Sequence, residues 1–381
     1  MARNPEFEKL VNRNARGEFA NKTKLGMMIA GRKARNSSPV GCYELDQQLQ
    51  NGCLTGDGKT ILAHTNNPDL IDYAMSKHRG DIDWALAYNP YLDEDQLRML
   101  EERNSGEARD HVRAAICMNP ATPTYPELRE QALSYTKPPY DAEYRSRMGR
   151  QICNNRGADE AMMLDVMSRS RTQEVTRAVA YNPYSTEKAL ERAVDLNPRD
   201  KTTVEAALRN PNSHSGVVYR AASQSDDPLV LEQAMAHRHS DLLAVDFVLD
   251  KANKTTDPEW KREYTRIAAT CPNMSDKQAE NFAATNDDDI TYALERSGKP
   301  LDADTVKRLC DRNLDEWYHR EALARQKNLG DHNARRIMDK CNQTDGTTLR
   351  MLYMNENLQQ VTRNEAAHKS EQFAKTRGDR A

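Results

Sequence analysis

Aromatic residues are few in this chain of 381 residues: five Phe, three Trp and fifteen Tyr, with apolar residues as a whole at 38%. Globular domains usually hold ~45–50% when Gly is counted as well. A chain this polar fills a thin core along its length and not one deep core. Long hydrophobic runs are also missing. The purest, Leu25 to Ala30, falls far short of the ~17 residues that a bilayer span needs, and the polar and charged residues before it do not have the layout of a secretory leader. Cysteine is sparse, with seven residues at 42, 53, 117, 153, 271, 310 and 341 and no Cys-x-x-Cys. Such scatter argues against a disulfide framework and for a reducing, cytoplasmic setting. Neither sign of charge dominates, since 55 Lys+Arg face 58 Asp+Glu for a formal net charge of −3.

What is present is a repeat. The word Asn-Pro closes an Ala-rich apolar stretch at Trp84–Pro90, Ala114–Pro120, Arg177–Pro183 and Glu205–Pro211, and a looser copy runs from Tyr264 to Pro272. The string Ala-Tyr-Asn-Pro-Tyr occurs unchanged at 87–91 and 180–184. Counting back from the Asn, apolar residues recur three, four and seven positions earlier: Leu86, Ala85 and Ile82; Ile116, Ala115 and Val112; Val179, Ala178 and Val175. That spacing lies on one face of an α-helix. Pro then ends the helix, and Asn is expected there because it tolerates a left-handed helix end. Counting forward, Leu97, Leu190, Val218 and Ala279 stand seven residues after the Pro, with Leu100, Ala193-Val194, Ala221-Ala222 and Phe282-Ala283 one turn on. A second helix follows, and at Ser275 a capping box with Gln278 is expected to start it.

Pro90, Pro120, Pro183, Pro211, Pro272 and Pro300 anchor the units, with degenerate corners near Arg156, Ser240 and Leu329 and a weaker first copy at Asn67-Pro68. Asn197-Pro198 and Asp227-Pro228 fall off this beat and mark links between units. Two-helix units at this period do not bury their own faces alone and must stack. The fold class expected is all-α, a right-handed α-solenoid of about nine or ten two-helix repeats. The chain then divides into a basic, partly flexible arm at 1–36, a connecting or capping segment at 37–59, the repeats at 60–360, and a disordered polar tail at 361–381.

The pattern of apolar-Ala-x-Asn-Pro followed by Leu or Val seven residues later resembles the variant leucine-rich repeats, architectural relatives of HEAT-like α-solenoids. The resemblance implies a fold and a way of binding, not an activity. Some members of that family carry an iron–sulfur cluster on closely spaced cysteines; here the nearest pair is Cys42 and Cys53, and that feature does not carry over.

The arm holds nine basic residues against three acids, a local charge of +6; the tail adds +2, which leaves −11 for residues 37–360 between them. Lys22, Lys24, Arg32, Lys33 and Arg35 flank the short apolar plug Leu25–Ala30 and are candidates for binding a partner, while the plug itself is suited to capping the first repeat. Nucleic acid is a possible ligand of this arm through its phosphates, although no aromatic residues are interleaved with the bases. Tyr88, Tyr91, Tyr181 and Tyr184 flank two corners and are the other candidates, because Tyr is a rigid amphipathic anchor and equal places in successive units would make a ladder.

Catalytic motifs are weak. Gly52 to Thr60 approximates a phosphate-binding loop ending in Lys59-Thr60, but Cys53 stands where the first Gly is required and Gly52 is one residue early. His237-x-His239 with Asp241 offers too few ligands for structural zinc. Asp287-Asp-Asp289 suits a helix N-terminus better than a calcium loop. The reading is therefore a non-enzymatic, cofactor-free scaffold or adaptor that binds a protein or macromolecular assembly, with oligomerisation open to it and no membrane partner. The alternatives are a nucleic-acid-binding HEAT-like protein, including the DNA-glycosylase type, and, last, an NTP-binding enzyme using loop 52–60.

Overall fold

The computed structural model describes residues 43–378. The arm, with Lys22, Lys24, Arg32, Lys33 and Arg35, lies outside the described residues. Those described are all-α, without a strand among them, and divide into two compact units, one up to Ala193 and one from Val194.

In the first unit the helices are α1 (Tyr43–Asn51), α2 (Gly56–His64), α3 (Pro68–Met75), α4 (Gly80–Ala87), α5 (Glu94–Glu102), α6 (Gly106–Met118), α7 (Pro126–Ser134), α8 (Ala142–Asn154), α9 (Glu160–Arg169) and α10 (Gln173–Tyr181). Helix α11 (Glu187–Leu196) carries the boundary. The second unit continues with α12 (Lys201–Arg209), α13 (Ser215–Gln224), α14 (Pro228–Met235), α15 (Leu242–Lys254), α16 (Pro258–Ala268) and α17 (Asp276–Ala283). It ends with α18 (Asp288–Arg296), α19 (Ala303–Asn313), α20 (Trp317–Leu323), α21 (Gly330–Lys340), α22 (Gly346–Met354) and α23 (Gln360–Gly378). The even-numbered helices pack on one another in order, α2 on α4, α4 on α6, α6 on α8 and α8 on α10 in the first unit, then α12 through α22 in the second.

The apolar positions read from the repeat form the core. Ile82, Ala85 and Leu86, Val112, Ala115 and Ile116, and Val175, Ala178 and Val179 are buried, as are Leu97, Leu190, Val218 and Ala279 from the following helices. Leu45, Leu49 and Leu54 share one cluster with Ile82, Leu86, Leu97, Val112 and Ile116 at the start of the described chain. Polar N-caps begin the helices: the Asp93–Gln96 and Ser275–Gln278 capping boxes are both formed, and Asp287 caps α18 by accepting from the amides of Asp289 and Ile290. The tail expected to be disordered is instead helix α23 as far as Gly378, because Thr362 and Ala366 are buried and Arg335 pairs with Glu365 at 2.9 Å.

The corner Asn has a different purpose from the one expected. Asn119, Asn155, Asn182 and Asn210 have φ between −73° and −66° and extended ψ, and the single non-glycine residue with positive φ among those described is His78. Their side chains matter instead. Asn89 Nδ2 donates to the Leu62 and Thr65 carbonyls at 2.7 and 2.9 Å. Asn119 does the same to Ala87 and Asn89, both at 2.9 Å, Asn155 to Cys117 and Asn119, and Asn182 to Cys153 and Asn155. Each Oδ1 accepts the amide two residues on, from Tyr91, Ala121, Gly157 and Tyr184. One amide thus satisfies two carbonyls of the preceding corner and one amide of its own, all shielded from water. The second unit repeats this at Asn355, which donates to Ala324 and Gln326. Asn67, by contrast, is no rung: it caps α3, and Thr65 supplies the corner carbonyl.

A second set of rungs is cationic. Arg79 Nη1 reaches the Gln48 carbonyl at 2.7 Å, Arg103 that of Met75 at 2.7 Å, and Arg169 that of Leu133 at 3.2 Å, each near the C-terminus of the second helix of the preceding pair or, for Arg79, of α1. In the second unit Lys251 reaches Ser225, Arg312 reaches Ala283, Arg336 reaches Cys310 and Lys369 reaches Met338. Positive charge at a helix C-terminus meets both the unsatisfied carbonyls and the negative end of the helix dipole.

Asn119→Ala leaves the Ala87 carbonyl and the Ala121 amide without partners, and the Asn89 carbonyl with the Leu92 amide at 3.4 Å; it should destabilise by about 2–4 kcal/mol in urea unfolding, at ~1–3 kcal/mol per buried group left unmade. Gly157 is a separate test. A Cβ there would stand 2.4 Å from the Pro120 carbonyl oxygen, whereas one on Gly346 meets nothing within 4 Å. Gly157→Ala should cost about 1–3 kcal/mol by overpacking against backbone, and Gly346→Ala should be neutral or mildly stabilising.

Candidate interaction surface

The four corner tyrosines occupy two corners and do not behave alike. Tyr88 is half-buried and meets the Trp84 ring edge-on at 5.7 Å; burial pushes its phenol above the ordinary value. Tyr91, Tyr181 and Tyr184 are exposed, at 61%, 65% and 53%, so three of the four present free ring surface. Between the two corners, the place of Tyr91 and Tyr184 is taken by Ala121 and Gly157, fixed by the same bond to the corner Asn. The tyrosines are two separate pairs.

Aromatic residues on the first helices of the second unit, not singled out from the sequence, make a larger feature. On α16, Trp260 is exposed and its ring lies 5.6 Å from Tyr264. On α20, exposed Trp317 meets Tyr318 at 5.9 Å, and Tyr318 meets Tyr292 of α18 at 4.9 Å. The Arg296 guanidinium sits over Tyr292 at 5.5 Å. Arg262 of α16 bridges Asp287 and Asp289, the latter at 2.6 Å. Helix α18 packs against both α16 and α20, so these rings and charges belong to one neighbourhood. Tyr318 titrates above its ordinary range through burial first and then the carboxylates of Glu316, Asp288, Asp289 and Glu295. The sequence signal was Trp-x-x-x-Tyr, present at 84/88 and 260/264, which places two rings on one helical face.

Beneath this neighbourhood lies a buried polar cluster. His319 Nδ1 is 2.6 Å from Glu295 Oε2, Asn313 Nδ2 donates to Glu295 Oε1 at 3.3 Å, and desolvation pushes the Glu295 carboxyl up. The buried Arg320 pairs with Asp345 at 3.0 Å and donates to the Leu314 and Asp315 carbonyls. In the first unit Glu101, buried, gathers Arg113 at 2.8 Å, Gln131 at 2.6 Å and Tyr135 at 2.5 Å. These groups are consumed by the fold.

The glycine loop is helical for most of its length. Cys53 to Thr55 link α1 to α2, and Gly56, Gly58, Lys59 and Thr60 lie within α2, capped by Thr55. Lys59 Nζ sits 4.9 Å from the centre of the Trp84 ring. Both line an open groove of about 520 Å³ with Asp81, Glu107 and His111. Asp246 lies in α15 and accepts from Gln278. His237 and His239 have His214 for company, with the His214 and His239 rings 4.6 Å apart. Among the described residues no group of three or more His, Cys, Asp or Glu is arranged to hold a metal ion. Burial raises the thiol of Cys153 to about 12 and that of Cys341 to about 11, which keeps both protonated at neutral pH.

Comparison with protein-family models, with curated proteins and with solved structures found no match to this chain.

Since Tyr91 and Tyr184 contribute only their backbone amides to the corners, Tyr91→Ala and Tyr184→Ala should each alter stability by no more than about 0.5 kcal/mol. Asp345→Ala strands the buried Arg320 and should cost about 3–5 kcal/mol. Urea unfolding of the three variants side by side checks both statements.

Proposed function

We propose that each unit is a right-handed α-solenoid of stacked helix pairs, and that the protein is a non-enzymatic scaffold that binds another protein along the first-helix face. The observation that carries this reading is the exposed aromatic neighbourhood of α16, α18 and α20. Exposed Trp beside Tyr and Arg is the composition of an interface hot spot, where a few rigid anchors supply most of the binding energy. Stacking helix pairs presents such anchors side by side at a fixed spacing, so many small contacts form without much ordering cost.

A protein partner suits this face better than a nucleic acid. Arg262 is engaged by two carboxylates, Arg296 by Tyr292, and Arg266 by Glu232 and Glu263. Cations committed in this way are not offered to a phosphate backbone. The arm, with its excess of Lys and Arg, is a second attachment point in this reading. Its candidate residues are Lys22, Lys24, Arg32, Lys33 and Arg35.

The test is an affinity capture from the native host using the full chain, its Trp260→Ala/Trp317→Ala double variant, and a chain lacking residues 1–36. A defined partner that resists moderate salt and is lost at least roughly tenfold with the double variant, at unchanged thermal midpoint, is the expected result. A salt-sensitive shift of labelled duplex or single strand, unaffected by the tryptophan changes and abolished by removing the arm, would overturn the scaffold reading in favour of nucleic-acid binding.

A further inference from the structure

One rung of the amide ladder in the second unit is made by a titratable group. At the corner following α14, His237 stands where Asn119, Asn155 and Asn182 stand in theirs: its carbonyl accepts the Ser240 amide three residues on, as the Asn119 carbonyl accepts that of Thr122. A neutral imidazole has one N–H donor where a carboxamide has two, so it does not serve two carbonyls of the preceding corner. His237 keeps one of those two bonds, a hydrogen bond to the Leu208 backbone, the counterpart of the Ala87 carbonyl that Asn119 engages. The His237 Nδ1 accepts from the His239 amide at 3.2 Å. With Nδ1 fixed as an acceptor, the bond to Leu208 falls to Nε2–H, and the ring is held neutral in one tautomer.

The surroundings oppose a positive charge. His239 and Arg238 flank the ring on its own corner, with Arg238 Nε 3.0 Å from His239 Nε2. His214 faces it from the preceding corner, its ring 4.6 Å from that of His239. From the following corner come Asn273, which donates to the Arg238 and Ser240 carbonyls at 3.0 and 2.8 Å, and the thiol of Cys271, 3.3 Å from Ser240 Oγ. Asp241 is the nearest acid in sequence, and its Oδ1 is committed to the Ala244 amide as the cap of α15. Burial foremost, then His239, Arg238 and His214, hold the His237 pKa below its ordinary value. The joint is also incompletely bonded: Ser213 Oγ is buried without a partner, whereas Thr122 and Ser185 at the same place in their corners donate to the Ile116 and Val179 carbonyls.

We propose that the His237–His239 corner is an acid-sensitive joint, at which protonation of His237 ejects the His239 amide from Nδ1 and loosens the packing of α12 and α13 against α14 and α15. A proton on Nδ1 puts two donors face to face and adds charge beside Arg238. The folded state therefore binds this proton less readily than the unfolded chain. Its contribution to stability is present above the unfolded value of about 6.5 and is lost as pH falls through the lower folded value. The other amide rungs, being Asn or Gln, do not respond.

Hydrogen exchange of the full chain, followed by mass spectrometry and corrected for intrinsic rates, reads the joint locally. Between about pH 7.5 and 5, amides in 204–248 should lose protection by roughly tenfold or more relative to those around Asn119 and Asn155. His237→Asn, which supplies a non-titrating amide, should abolish that local difference. Equal pH response of 204–248 in the parent and in His237→Asn would overturn the proposal. Should that variant fail to fold, the parent alone decides. A histidine whose ring proton resonance titrates below the free value in step with the exchange of 204–248 supports it, and local exchange unchanged while every histidine titrates refutes it.

Discussion

The described fold depends on one exchange of hydrogen bonds: the side-chain amide of a corner Asn against the carbonyls of the corner before it. Helix ends leave carbonyls without partners, and corners buried between stacked helices hide those carbonyls from water. A single carboxamide answers both needs because it carries two donor hydrogens and an acceptor on one rigid plane. Asn119 and Asn155 show the economy of this. Each donates from its side chain to the carbonyl of its predecessor and accepts at its own carbonyl from the side chain of its successor, so register is passed along from one corner to the next. An aspartate would set negative charge against carbonyl oxygens, and a serine is too short.

The cationic rungs complete this scheme at the other end of each helix pair. Arg103, Arg169, Arg312 and Lys369 come from different pairs but end on the same kind of acceptor, a carbonyl at the C-terminus of the preceding second helix. Seven of the 55 basic residues are thereby structural. Net charge and counts of Lys and Arg therefore say less about ligands here than they would in a globular domain, since position decides whether a cation faces solvent or a carbonyl. The same holds for the acids: Asp83 is buried against Arg103 and Glu101 against Arg113, and neither is available for chemistry.

Substitutions in the ladder show where the second unit tolerates variation. Gln326 replaces Asn with one more methylene and still donates to the Glu295 carbonyl, with Asn328 reaching the Leu301 carbonyl beside it. Cys271 gives up the amide, and Asn273 two residues on takes over its role. His237 sets an imidazole in the place of the amide. The first two replacements keep a neutral amide at the joint, and the third brings in a ring whose donor pattern depends on pH. Function, in the scaffold reading, lies on a different face, where Trp260 and Trp317 stand clear of these bonds.

The spacing of Ile82, Ala85 and Leu86 before Asn89, and of Leu97 and Leu100 after it, already specified paired helices and their buried faces, because a helical period shows in any amphipathic segment. The capping boxes and the Asp287 cap were equally legible, being local. The purpose of Asn was not: a sequence shows that Asn precedes Pro, whereas its partners lie a whole repeat away and exist only once helices are stacked. The helical state of 360–378 was hidden for a related reason, since a polar segment with a weak pattern is held by Thr362 and Ala366 against neighbours that local sequence does not reveal. The aromatic neighbourhood joining Trp317, Tyr318 and Tyr292 also depended on tertiary structure, which alone brings successive first helices side by side. Local periodicity determined the elements; contacts between residues about a repeat apart decided which polar groups are spent on the fold and which are left exposed.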